Sequence, residues 1–148
     1  MTDRRLTKYL IVAIALLAGM WGAQAGAQPK AAAPAAAGAP APTGFKRTEL
    51  QRHDISTRGR ETVQTRGEFE PGGAVPKHTH PGEEVGFILS GELTVEVAGK
   101  PAQTFKAGDV FFIPAGTVHA GKNTSTAPSV VISTYIVEKG KPLATMVK

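Results

Sequence analysis

The 148-residue chain contains no cysteine, one tryptophan, two tyrosines and only four histidines. The lack of cysteine excludes disulfides, thiolate nucleophiles, cysteine-ligated zinc and iron–sulfur clusters. It conflicts in no way with an oxidising compartment. The net charge of +5 does not mark a nucleic-acid binder, because the lysines and arginines are scattered, without a basic run or interleaved aromatics. There is no internal repeat, and a chain of this length allows one domain. From Phe45 onward no segment carries a helical period of apolar residues.

The N-terminal segment has a different character. Arg4, Arg5 and Lys8 precede an apolar run from residue 9 to 21, and small residues fill positions 22–27. A basic head, a short apolar core and A-x-A sites make a secretory signal peptide over residues 1–27, cleavable after Ala25 or after Ala27. The apolar run is shorter than the roughly 20 residues a spanning helix needs, so no stable membrane span is expected after cleavage. Arg4-Arg5 resembles a twin-arginine signal only faintly, since Thr7 and Lys8 follow where apolar residues belong. Cleavage after Ala27 would lower the net charge to +3, because Arg4, Arg5, Lys8 and Asp3 leave with the peptide. The expected destination is a bacterial periplasm or the medium. Residues 28–44 are Ala/Pro-rich, with prolines at 29, 34, 40 and 42 that interrupt any helix, and are expected to form a disordered linker.

Residues 45–148 alternate short apolar and β-branched stretches with glycine and proline. Extended segments are expected at 48–55, 61–69, 84–90, 92–98, 103–106, 109–113, 118–120 and 129–137, with Pro71-Gly72-Gly73 ending the second and a separate strand carrying His78 and His80 following it before Glu84. Strands so evenly spaced indicate an all-β antiparallel sandwich or barrel. Closing the sheets hides their edges and creates an interior where inward side chains can meet.

Two stretches carry the chemistry. In residues 72–91, His78 and His80 stand one residue apart, then Pro81-Gly82 turns the chain and Glu84 opens the next apolar run. Side chains two apart on a strand share a face about 6.6 Å apart along the backbone, within reach of one ion held about 2.0–2.1 Å from each nitrogen. In residues 108–123, His119 follows a Pro-Ala-Gly turn. Three imidazoles and one carboxylate suit a divalent transition metal and leave open positions on a five- or six-coordinate ion.

The first stretch resembles the first cupin motif, G-x5-H-x-H-x3-E-x6-G, at Gly72, His78, His80, Glu84 and Gly91. The second is similar to the other cupin motif, G-x5-P-x-G-x2-H-x3-N, at Gly108, Pro114, Gly116, His119 and Asn123. The 16 intervening residues match the compact spacing of small single-domain bacterial cupins. The resemblance covers residues 45–148 and implies a cupin jelly-roll β-barrel. It also implies His78, His80, Glu84 and His119 as metal ligands, Pro114 and Gly116 as turn residues aiming His119, and Asn123 as structural. The metal would be Mn, Fe, Ni, Cu or Zn. Small cupins of this kind pair as homodimers, some by exchanging an N-terminal strand, for which residues 48–55 are the candidate here.

Other residues carry more ordinary expectations. Glu83 is expected in a solvated turn and His53 on the surface. Phe87, Phe111, Phe112 and Tyr135 are expected in the core, with Phe87 or Tyr135 able to line the cavity. Gln64 and Arg66 share one strand face, where Arg66 either meets a substrate carboxylate or pairs on the surface with Glu68. No catalytic or substrate-binding residue beyond the ligands is assigned. By resemblance, the expected function is a metal-dependent oxidoreductase of the dioxygenase kind acting on a small molecule. The alternative is a non-catalytic periplasmic protein that binds metal or a small molecule.

Overall fold

Residues 129–138 are the longest β-branched run, with apolar and small side chains alternating along it, and they form a strand at the centre of the fold. The computed structural model describes residues 40–148, which contain nine strands. These are β1 (Thr43–Asp54), β2 (Arg60–Thr79), β3 (Gly82–Ser90), β4 (Glu92–Val97), β5 (Gln103–Lys106), β6 (Val110–Ile113), β7 (His119–Lys122), β8 (Ser129–Glu138) and β9 (Thr145–Met146). Among these residues no helix is long and apolar enough to cross a membrane. The expected signal peptide and the linker up to residue 39 lie outside the described residues. Thr43 and Gly44, expected in the linker, already belong to β1.

All pairings are antiparallel, in the order β5-β4-β7-β2-β8-β3-β6, with β1 and β9 both added to β2. The ends of this sheet, β5 and β6, are consecutive in sequence. The turn joining them bonds back to β3 through Gly108 N–H to the Ile88 carbonyl at 2.9 Å and Ile88 N–H to the Asp109 carbonyl at 3.0 Å. The sheet thus nearly closes on itself as an all-β cupin jelly-roll barrel, and few backbone edges stay open.

Strand β2 differs from expectation in an instructive way. Pro71-Gly72-Gly73 does not end it; the chain bends there and continues to Thr79. Gly72 sits at φ +77°, and a Cβ on Gly73 would lie 2.2 Å from the Gly44 carbonyl oxygen, so only glycine fits the bend. Before the bend β2 pairs with β1 and β8; after it, with β7 and β9, while β1 follows it round only as far as the Thr43–Ala74 pair. A turn signal here marks a change of partners.

Asn123 locks that corner. It is fully buried, its side-chain amide donates to the Phe69, Glu70 and Ala127 carbonyls, and its side-chain oxygen accepts from Ser125. Its backbone exchanges bonds of 3.0 and 2.9 Å with Gly72 and Gly73. The structural role expected for this residue is therefore its observed one.

The barrel interior is filled by Phe69, Ile88, Leu93, Val95, Ile113 and Val131, with Val63, Tyr135 and Val137 at the other end. Of the four aromatics expected in the core, only Tyr135 is fully buried, while Phe111 is half-buried against the Phe69–Leu93–Ile113 cluster. Phe87 and Phe112 are 41% and 57% exposed. The pleat explains this: Val85 and Phe112, and Phe87 and Val110, are register partners on the outer face of β3 and β6, while Gly86 and Phe111 face inward.

Candidate metal centre

The turn at residues 114–117 is built to place two imidazoles. Gly116, at φ +68°, donates its N–H to the His80 carbonyl at 3.0 Å, and Thr117 N–H bonds back to the Pro114 carbonyl at 3.2 Å. The segment carrying His119 is thereby tied to the backbone of His80. On the other side His119 opens β7 and is the register partner of His78 on β2. Glu84 lies two residues into β3, next to Tyr135 of β8. His53 is exposed on β1, and Glu83 faces outward within 3.5 Å of Arg60.

These placements bring His78, His80 and His119 together, with one donor nitrogen from each within 4.8 Å of the others. All three rings are buried, with centroids 4.2–4.9 Å apart. Each ring's Nδ1 meets a backbone carbonyl: Pro76 at 2.7 Å for His78, Leu143 at 2.5 Å for His80 and Thr117 at 2.9 Å for His119. A carbonyl only accepts, so each Nδ1 carries the proton and each Nε2 presents a lone pair. This is the outer-sphere arrangement that fixes tautomer and ring orientation in metal-ligating histidines.

Glu84 approaches from the His80 and His119 side, its Oε2 3.2 and 3.3 Å from their Nε2 atoms. Those separations are within hydrogen-bond range, yet both Nε2 atoms are buried without a directed hydrogen bond. Two lone-pair donors and a carboxylate oxygen facing one another in a dry interior repel unless a cation stands among them. The donor set therefore fits a divalent transition metal.

Burial lowers the His78 imidazole to about 4, helped by the neighbouring His119 and His80, so it is neutral and able to donate its lone pair. Burial alone would raise Glu84, but in the ion-free cluster hydrogen bonds from the His119 and His80 rings and the Ser133 hydroxyl, in which a proton takes the place of the cation, outweigh it and hold the carboxyl well below the usual range. Burial, and then the Glu84 charge, push Tyr135 up, so its hydroxyl stays protonated beside the carboxylate. The Tyr135 ring also packs edge-on against His80 at 4.7 Å.

The cluster opens on a cavity of about 240 Å³ with mostly apolar walls, including Phe45, Phe69, Leu93, Phe111 and Val131. Of the two residues weighed for its polar wall, Gln64 bonds to Gln51 and Thr134 on the outer face, and Arg66 pairs with Glu68 at 3.3 Å. The surface reading of Arg66 holds because Thr65 and Gly67, not its own position, face inward. The cation lining the cavity is instead Arg47 of β1. Leu143, Ala144 and Met146 also reach the site from the C-terminal segment, where no motif announces them.

Residues 65–135 match the cupin domain family. Among curated relatives, germin-like protein subfamily 2 member 1 of Arabidopsis thaliana is 43% identical over 76 residues, 48% of this chain and 35% of that protein. The chain thus spans about a third of the length of the curated relatives it matches. Among solved structures, an oxalate oxidase in complex with the substrate analogue glycolate superposes with TM-score 0.57 at 28% identity, over 70% of this chain and 55% of that one. The polyketide cyclase RemF of Streptomyces resistomycificus superposes with TM-score 0.59 at 20% identity, over 79% and 80%, which is a likeness of fold alone.

Proposed function

With its described residues folded as a cupin barrel, we propose that this chain is a metal-dependent oxidoreductase acting on a small molecule. His78, His80, Glu84 and His119 hold the ion. The observation that carries this reading is the set of three Nδ1–H groups satisfied by backbone carbonyls, which leaves buried Nε2 lone pairs facing one another and Glu84. A divalent ion of the Mn, Fe, Ni, Cu or Zn series bound there supplies Lewis-acid chemistry, and redox chemistry where the ion is redox-active.

The remaining steps belong to the protein. The three rings are held in one orientation by their carbonyl partners before a ligand arrives, and His78 is already neutral. Glu84 contributes a negative charge without a proton, and Tyr135 keeps a hydroxyl donor beside it. The apolar wall of Phe69, Leu93, Phe111 and Val131 excludes water from the open side and strengthens each polar contact within. Similarity to the germin-like protein and the oxalate oxidase supports an oxidoreductase over a purely structural barrel.

The same proposal includes export, from the sequence of residues 1–27, and a homodimer. Supporting the homodimer, Val85, Phe87 and Leu89 of β3, Val110 and Phe112 of β6 and Ile136 of β8 share the outer face of neighbouring strands and are 39–64% exposed. No charged side chain interrupts β3 and β6 between residues 85–89 and 110–113. A second copy of the chain offers the same uncharged surface in return.

The test is elemental analysis of purified full-length protein, followed by oxygen uptake by each metal-loaded form with a panel of enols, flavonoids and small acids. One ion per chain with turnover supports the reading. One ion per chain with ligand binding and no oxygen uptake by any form would favour a non-catalytic binding protein. Absence of bound metal would refute the centre itself.

A further inference from the structure

We propose that Arg47 is the anion-recognition residue of the cavity, and that its ligand is a small carboxylic acid with an apolar body. This rests on the reading of the cavity as the ligand site, though not on which metal occupies it.

Arg47 lies on the inward side of β1, which reads Phe45, Arg47, Glu49 opposite Phe69, Gly67 and Thr65 of β2. Arg47 is the register partner of Gly67, and both line the cavity. A Cβ at Gly67 would come within 3.2 Å of the Phe45 ring, so glycine here lets Phe45 and Phe69 pack closely on the wall beside Arg47.

The other arginines of β1 and β2 that face acids are committed. Arg52 is held by Glu49 and Glu61, Arg60 by Glu83 and Arg66 by Glu68. Arg47 makes no hydrogen bond or ion pair among the described residues, and its nearest acid in sequence, Glu49, already accepts from Nε and Nη2 of Arg52. An uncommitted guanidinium at an apolar cavity is a planar two-pronged donor awaiting a carboxylate.

The cavity's dimensions and walls narrow the class. About 240 Å³ lies below the roughly 300–1,000 Å³ of sites for drug-sized ligands. Phe45, Phe69, Leu93, Phe111 and Val131 would gain nothing from a wholly hydrophilic acid. An acid with an aromatic or branched apolar body satisfies both Arg47 and those walls.

The experiment is calorimetric titration of zinc-loaded full-length protein with benzoate, benzamide and acetate. Benzoate is expected to bind at least tenfold more tightly than either benzamide, which lacks the charge, or acetate, which lacks the body. In Arg47→Gln benzoate should weaken by roughly ten- to a hundredfold, the range of a lost charge-assisted pair, while benzamide is unmoved. Arg47→Lys should recover part of the loss, and zinc content should be the same in all three proteins. Benzoate binding unchanged in Arg47→Gln, as when the metal alone holds the carboxylate, overturns the proposal; so does equal binding of benzoate and benzamide to the parent protein. Acetate binding as tightly as benzoate overturns the apolar class. The same titrations on metal-free protein separate the two readings, because loss of zinc binding with retained Arg47-dependent benzoate binding would defeat only the metal centre.

Discussion

His78 and His119 are register partners on adjacent antiparallel strands, with ring centroids 4.2 Å apart. Paired residues of a ladder cannot move apart without breaking backbone bonds, so these two donors are as rigid as the sheet itself. His80 and Glu84 flank the turn that follows, and the Gly116 bond to the His80 carbonyl holds the third imidazole in the same frame. The site is thus assembled by backbone geometry before any ion enters.

His119→Ala and Glu84→Gln each remove one donor and leave the ladder intact. Metal affinity should fall by more than the roughly 10–100-fold typical of losing an outer-sphere partner. The far-ultraviolet circular dichroism should remain that of an all-β protein. Inductively coupled plasma analysis of the dialysed variants provides the measurement, and parent-like metal content in both would displace these residues from the centre.

Metal-free protein should lose stability on acidification, beginning above the usual carboxylate range. The unfolded chain binds a proton at His78 near the ordinary 6.5, whereas the folded chain resists until about 4. Between those values the unfolded state holds more protons, so stability falls as pH falls, by up to roughly 3 kcal/mol. Glu84, also depressed when folded, adds a loss in the same direction below its ordinary 4.5. Urea midpoints measured from pH 7 to pH 4 should decline accordingly, and His78→Gln should flatten the upper part of the curve.

Asn123→Ala should be costly without touching the metal donors. It strips partners from the Phe69, Glu70 and Ala127 carbonyls and frees the Gly72-Gly73 corner. A loss of about 3 kcal/mol is expected for a buried group with this many bonds. The urea midpoint should fall, while folded protein at low temperature retains its metal.

Phe87→Glu and Phe112→Glu place a charge on the outer face of β3 and β6. Light scattering on a sizing column should show the parent protein at twice the chain mass and both variants at one chain mass. Metal content should not change, because neither side chain faces the cavity. A monomeric parent protein would remove the dimer from the proposal.

Much of this protein could be read from residue order alone. Alternation of apolar and polar residues places strands correctly wherever one face meets the core, as in β4, and the spacing of His78, His80, Glu84 and His119 singled out side chains that the fold brings together. Local pattern failed where a residue's meaning depends on what lies across from it. Pro71-Gly72-Gly73 has the composition of a strand end but acts as a bend between two sets of partners. Phe87 and Phe112 look like core aromatics, yet the register of β3 against β6 turns them outward. Residue order draws attention to Arg66 and carries no signal for Arg47. Only the pairing of Arg47 with Gly67, and of Arg66 with Glu68, decides which one reaches the cavity. The order of residues determined the strand periods and the chemistry of the donors, because both are short-range properties of side chains. The tertiary fold alone decided which cation, carbonyls and apolar walls surround those donors, because these come from strands brought together only when the barrel closes.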